Sequence, residues 1–90
     1  MKYEREPLTD RHKEVVRLIS LGCTVIETAA ILKLAPNTVD NHKAEAMRRL
    51  GTNKVALLTR IAIQMRLTSM RDSLTTTEKR RSGRKKDGWN

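Results

Sequence analysis

Gly22, Pro36 and Gly51 punctuate an aliphatic stretch so closely that only short helices joined by sharp turns can fill it. Thr24, followed three residues later by Glu27, is a capping box: the Thr side chain takes a free backbone N–H of the helix start and the Glu side chain returns to the Thr N–H. Val25, Ala29 and Leu32 then recur at helical spacing, which predicts a helix over 25–33. Pro36 suits the first position of a helix, where its missing N–H is harmless, and Gly51 suits the residue just past the end, which predicts a second helix over 36–50. Upstream, Thr9 is a good N-cap with Asp10 in the first turn. Val15, Leu18 and Ile19 form a stripe that Gly22 stops, predicting a helix over 10–21. Downstream, Asn53 serves as a cap for a helix over 54–66, on which Val55, Leu58, Ala62 and Met65 share a face.

Only three residues, with Leu34 at their centre, separate the second and third helices. A short helix, a tight turn and a longer helix make a helix-turn-helix, whose second helix is shaped to enter the major groove of DNA. The balance of charge points the same way. The chain carries 19 Lys and Arg against 10 Asp and Glu, a formal +9, which favours phosphate-rich or anionic-membrane partners. No stretch approaches the roughly 18 apolar residues of a spanning helix, and the N-terminus has no apolar signal region, so neither export nor a membrane partner is expected. One cysteine, Cys23, excludes an internal disulfide framework and fits the cytoplasm. The two aromatics, Tyr3 and Trp89, stand near the ends, so the core is expected to be aliphatic, with no stacking platform for single strands.

On a wheel of about 100° per residue, Val39, Ala46 and Leu50 of the third helix fall within about 40° of one another and form its inward side. Asn37, Asn41, Ala44 and Arg48 lie opposite. Short and amide side chains suit base reading; an Asn can bond adenine N6 and N7 together, and Asn41 is the leading candidate. Asp40 flanks this face, suited either to accepting from cytosine N4 or to solvent. Arg48, Arg49 and Lys54 are placed for phosphate contacts, which give affinity without sequence information, although basic residues also favour helix C-termini. Lys43, a further backbone-contact candidate, lies near Val39, where its stem also suits lying over the core.

In order, Leu8-Thr9, Arg11, Val15 to Ile19, Gly22, Glu27, Ala29-Ala30, Leu32, Pro36, Thr38-Val39, His42, Met47 and Leu50-Gly51 resemble the LuxR, GerE and NarL type of DNA-binding domain across 8–67. The resemblance implies an all-α, four-helix LuxR-type helix-turn-helix domain in a bacterial transcription regulator. Its third helix would enter the major groove of double-stranded DNA and its fourth would form a homodimer. Carried over by position, it gives Asn37, Asp40, Asn41 and Ala44 as base-facing and Thr38 as a backbone contact. Departures from the family pattern are Ala35 in place of a capping serine, Thr28 in place of an apolar core residue and Thr52 in place of Val or Leu. Ile26 and Ile31 are apolar where polar residues are expected on the second helix, a candidate surface for a partner. Seven residues before Leu8 leave no room for the receiver or ligand-binding domain that usually accompanies this one, so control by dimerisation, expression level or a separate regulatory protein is expected unless the chain is a fragment of a larger regulator.

Leu57, Ile61 and Met65 widen the apolar arc of the fourth helix to about 160°, more than one core contact needs, and are the expected dimer interface. Residues 1–7 are read as an N-terminal tail. Residues 68–90 carry seven Lys and Arg against three Asp and Glu with little to bury, and are read as a flexible basic tail. Six of the eight residues from Lys79 to Lys86 are basic, and they are expected to add affinity for DNA of any sequence. His12, His42 and Cys23 match no common zinc spacing, and neither a nucleophile-and-base set nor a phosphate loop is present. No metal, cofactor or enzyme activity is therefore expected. Two competing readings remain: a sigma-factor region-4-like module acting with RNA polymerase, and an adaptor that binds a separate sensor through Ile26, Ile31 and the fourth helix.

Overall fold

A computed structural model of the chain describes residues 7–83. Five helices follow one another: α1 (Asp10–Ser20), α2 (Val25–Leu32), α3 (Pro36–Leu50), α4 (Val55–Gln64) and α5 (Thr76–Ser82), with no strand among the described residues. The first four are those that the punctuation predicts, and α3 has the predicted bounds.

Each boundary has a local cause. Thr9 Oγ1 accepts from the His12 N–H at 3.1 Å, and His12 Nδ1 accepts from the Thr9 N–H at 3.3 Å, so a histidine takes the part that Glu27 plays at α2. Past α1, Gly22 adopts φ +90°, the Gly22 N–H bonds the Ile19 carbonyl and the Cys23 N–H bonds the Leu18 carbonyl, both at 3.0 Å. That Schellman arrangement satisfies the last carbonyls of the helix and turns the chain toward α2. The tight turn after α2 is made without glycine: Lys33 takes the left-handed conformation (φ 58°, ψ 46°). As the residue types at Ala35 and Pro36 imply, α3 begins with no side-chain cap. The Asn53 cap is a correction. Lys54, one residue after Asn53, holds the N-cap position of α4, and Thr52 Oγ1 accepts from the Lys54 N–H at 3.2 Å in the turn that carries Asn53.

The core is aliphatic. Val15, Val16 and Ile19 of α1 meet Ala29 of α2, Val39, Ala46 and Leu50 of α3, and Leu58 and Ala62 of α4. Three alanines at these crossings let the helix backbones approach closely, while each large aliphatic side chain removed from water contributes about 1.5–3 kcal/mol. Fixed in this way, α3 has one side locked inward and the other turned outward.

Residues 68–83 depart from the expectation of a flexible tail. Leu74 and Thr68 are buried, and Leu74 joins Leu18, Leu21, Cys23 and Ile31 in a second apolar cluster. A capping box between Thr75 and Glu78 starts α5, which lies against α2. Arg17 of α1 clasps this segment. It donates from Nε to Asp72 at 2.9 Å, from Nη1 to Glu78 at 2.7 Å and from Nη2 to the Ser73 carbonyl at 3.1 Å. Arg81 Nη1 reaches the Ile31 carbonyl at 3.0 Å. One leucine inserted into a waiting apolar notch and one arginine already on α1 order a stretch whose composition argues against order. Ile31 is consequently buried and not open to a partner, whereas Ile26 is 66% exposed. Within the basic run, 79–83 belongs to α5 and its cap; 84–86 lies outside the described residues, as does most of the N-terminal tail.

Candidate nucleic-acid interface

The outward side of α3 follows from its inward one. With Val39, Ala46 and Leu50 buried, Asn37, Asp40, Asn41, Ala44 and Arg48 are all exposed on the opposite side and its flank. Thr38 is half-buried at the start of the helix, on the border between the two sides. Lys43 is half-buried, consistent with a stem lying along the core edge, and Lys54 is exposed in the turn after α3. The helix therefore offers a strip of amides, one methyl group and one carboxylate, with cations at its C-terminal end.

Those cations are organised by a residue outside the set that the sequence singles out. Glu45 accepts from Arg48 Nε at 3.0 Å and Arg48 Nη2 at 2.7 Å, and from Arg49 Nε at 2.7 Å. Arg49 Nη1 continues to the Pro7 carbonyl at 2.7 Å, tying α3 to the segment that leads into α1. The hydrogen bonds from Arg48 and then Arg49 hold the Glu45 carboxyl down at about 2, so it is ionised at any physiological pH. The signal was in the spacing: an acid three and four residues before two arginines lies on their side of the helix. Arg48 and Arg49, read as phosphate contacts, are thus brought together, but on a carboxylate.

His42 is half-buried, its ring meeting that of buried His12 edge-on with centroids 5.5 Å apart. Burial, then Arg49 and His42, push the His12 pKa below its ordinary 6.5 against the opposing pull of Glu45. Cys23 is buried in the second apolar cluster, whereas the two histidines meet beside α1 and α3. Among the described residues no group of three or more His, Cys, Asp or Glu is gathered closely enough to hold a metal ion, and no helix is long and apolar enough to cross a membrane.

Leu57 of α4 and Met65 at its C-cap are 44% and 37% exposed, large values for apolar side chains so close together. Ile61 between them is half-buried and packs in part against the core. Val55 adds 41% exposure at the start of the helix, although its spacing with Leu58 and Ala62 predicts an inward position. Beside Leu57 and Ile61 a groove of about 220 Å³ runs between Thr52, Arg60 and Gln64.

The family model GerE, described as bacterial regulatory proteins of the luxR family, matches residues 6–62. The transcriptional regulatory protein UhpA of Escherichia coli (strain K12) is 41% identical over 58 residues, 63% of this chain and 30% of that protein. The protein of the same name from Salmonella typhimurium is 40% identical over the same shares. The chain thus spans less than a third of the length of these curated relatives, and α5 lies beyond the segment that the family model matches. No solved structure matches.

Proposed function

Because this chain belongs to the luxR family of bacterial regulatory proteins, we propose that it binds double-stranded DNA sequence-specifically and regulates transcription, with α3 in the major groove. One observation carries the reading: a polar, short-chained side of α3 exposed opposite a fully buried side made by Val39, Ala46 and Leu50. Asn37, Asp40, Asn41 and Ala44 are the base-facing set, with Asn41 bonding a base edge. Thr38, Lys43, Arg48, Arg49 and Lys54 contact the backbone and set affinity. Leu57, Ile61 and Met65 join two copies, so the half-sites would lie about 10 base pairs apart. Lys79, Arg80 and Arg81 on α5, with the basic residues that follow, add affinity that is independent of sequence.

Selection from a random double-stranded pool at about 150 mM salt, where purely ionic binding is suppressed, tests the reading. Enrichment of a two-fold symmetric motif is expected, with Asn41→Ala relaxing the preference at one position of each half-site. Salt-sensitive binding without enrichment would overturn sequence specificity, and no binding at all would overturn the reading as a whole.

A further inference from the structure

We infer that Glu45 is an affinity-setting residue of this interface: its carboxylate is an internal competitor for the arginines that the DNA backbone needs. The inference rests on the DNA-binding reading above. A carboxylate and a phosphate offer an arginine the same recognition, two oxygens matching two N–H groups, and Arg48 already makes that paired contact with Glu45 through Nε and Nη2. Arg49 shares the same carboxylate, and its second hydrogen bond to the Pro7 carbonyl draws it back toward α1. Glu45 stands at the border of the outward side, one turn beyond Asn41, so a phosphate that either arginine reached would also approach this carboxylate. Each such approach therefore exchanges an existing ion pair for a new one and brings two anions together. Pairs of this kind, open in part to water, are weak individually, so the hold is reversible and weakens binding to chance DNA without preventing it.

The test uses the full chain and a duplex of about 30 base pairs of arbitrary sequence, because phosphate recognition does not depend on the operator. Removing both pairs predicts that Glu45→Gln and Glu45→Ala tighten binding about two- to thirty-fold. If either arginine then neutralises a phosphate, the salt dependence should also steepen by up to about 0.9 for each phosphate newly neutralised. Glu14→Gln on the exposed side of α1 removes the same charge elsewhere, together with the longer 3.5 Å pair to Arg11 away from α3, and serves as the control. The inference requires that Glu45→Gln exceed the control, and that its gain vanish when Arg48 and Arg49 are both replaced by Ala. A gain equal to the control, or one that survives in the double Ala background, would overturn it, since either marks simple like-charge repulsion. A loss of affinity in both Glu45 variants would also overturn it, by making Glu45 a positioning residue for the arginines. Failure of the wild type itself to bind would instead overturn the DNA-binding reading on which the inference stands.

Discussion

Thr28 places a hydroxyl in the interior where it finds no partner among the described residues: it is 0% exposed and its Oγ1 accepts and donates nothing. A buried polar group left unsatisfied costs about 1–3 kcal/mol, whereas an apolar group of the same shape does not. Thr28→Val keeps the outline and the branching, so it is expected to raise the unfolding free energy by about 1 kcal/mol in denaturant titration, with an unchanged slope. A loss of stability would show that the hydroxyl is bonded. At α1 the histidine in the capping box makes stability depend on pH. Folding lowers the pKa of His12 from 6.5, so near and below that value the unfolded chain binds more protons than the folded one. The contribution of neutral His12 is therefore complete above about pH 6.5 and declines as pH falls toward the folded value, where protonation also removes Nδ1 as the acceptor for the Thr9 N–H. His12→Gln keeps an acceptor and loses the titration. Thermal melts between about pH 7.5 and 5.5 should slope less in this variant than in the wild type; equal slopes would assign the dependence to another group.

Among the helices, α5 is the one whose start is clasped by a charged side chain from α1. The hydrogen bond from Arg17 holds the Asp72 carboxyl below its ordinary 3.8, against the opposing effect of burial. Burial pushes Glu78 upward too, but Arg17 and the Thr75 N–H outweigh it, so this group also stays below its usual value. Carboxyls with depressed pKa values contribute stability that is present above their unfolded values, near pH 4, and is lost as pH falls through the folded ones. Arg17→Gln should free α5 without unfolding the four-helix core, because Arg17 lies outside the principal apolar cluster. Hydrogen exchange is expected to quicken by about ten-fold or more at the amides of 79–82 and to stay within a few-fold in α1, α3 and α4. Uniform loss of protection would make α5 part of one cooperative unit. Helices α1 to α4 were legible in the sequence because caps, Pro36, Gly51 and aliphatic spacing agreed with one another. The signature that locates α2 also stands at Thr75 to Glu78, with Gly83 past the end, but nothing local shows that Leu74 meets Leu18 and Ile31 or that Arg17 reaches across 55 positions to Asp72. Long-range pairing, unlike capping, leaves no mark at a fixed offset. The outward side of α3 was legible by the same periodicity, whereas the hold of Glu45 on Arg48 and Arg49 needed the spacing between charges to be weighed as well as their number.

As a whole, the molecule presents two outward surfaces of different character, the polar side of α3 and the apolar side of α4, each on a helix whose other side is fixed in the same core. In the proposed pair that common core would fix the distance between the two α3 helices once the α4 contact formed, and such rigidity would let the pair read two half-sites in register. Leu57 and Met65 are the positions to test, because they are the exposed members of the set, while Ile61 also supports the fold. Charges at both, Leu57→Glu with Met65→Glu, should leave the melting temperature within a few degrees, since neither side chain belongs to the buried core. The same change should turn a concentration-dependent dimer into a monomer in sedimentation. Binding to a symmetric operator should then weaken by about 100-fold or more, because the second half-site no longer adds its effective concentration, while binding to an isolated half-site changes by no more than the two added negative charges account for. If the double variant still sediments as a dimer, the contact lies elsewhere on the surface. If the wild type is a monomer even on its operator, each copy reads its site alone, and the apolar side of α4 is free for a different protein.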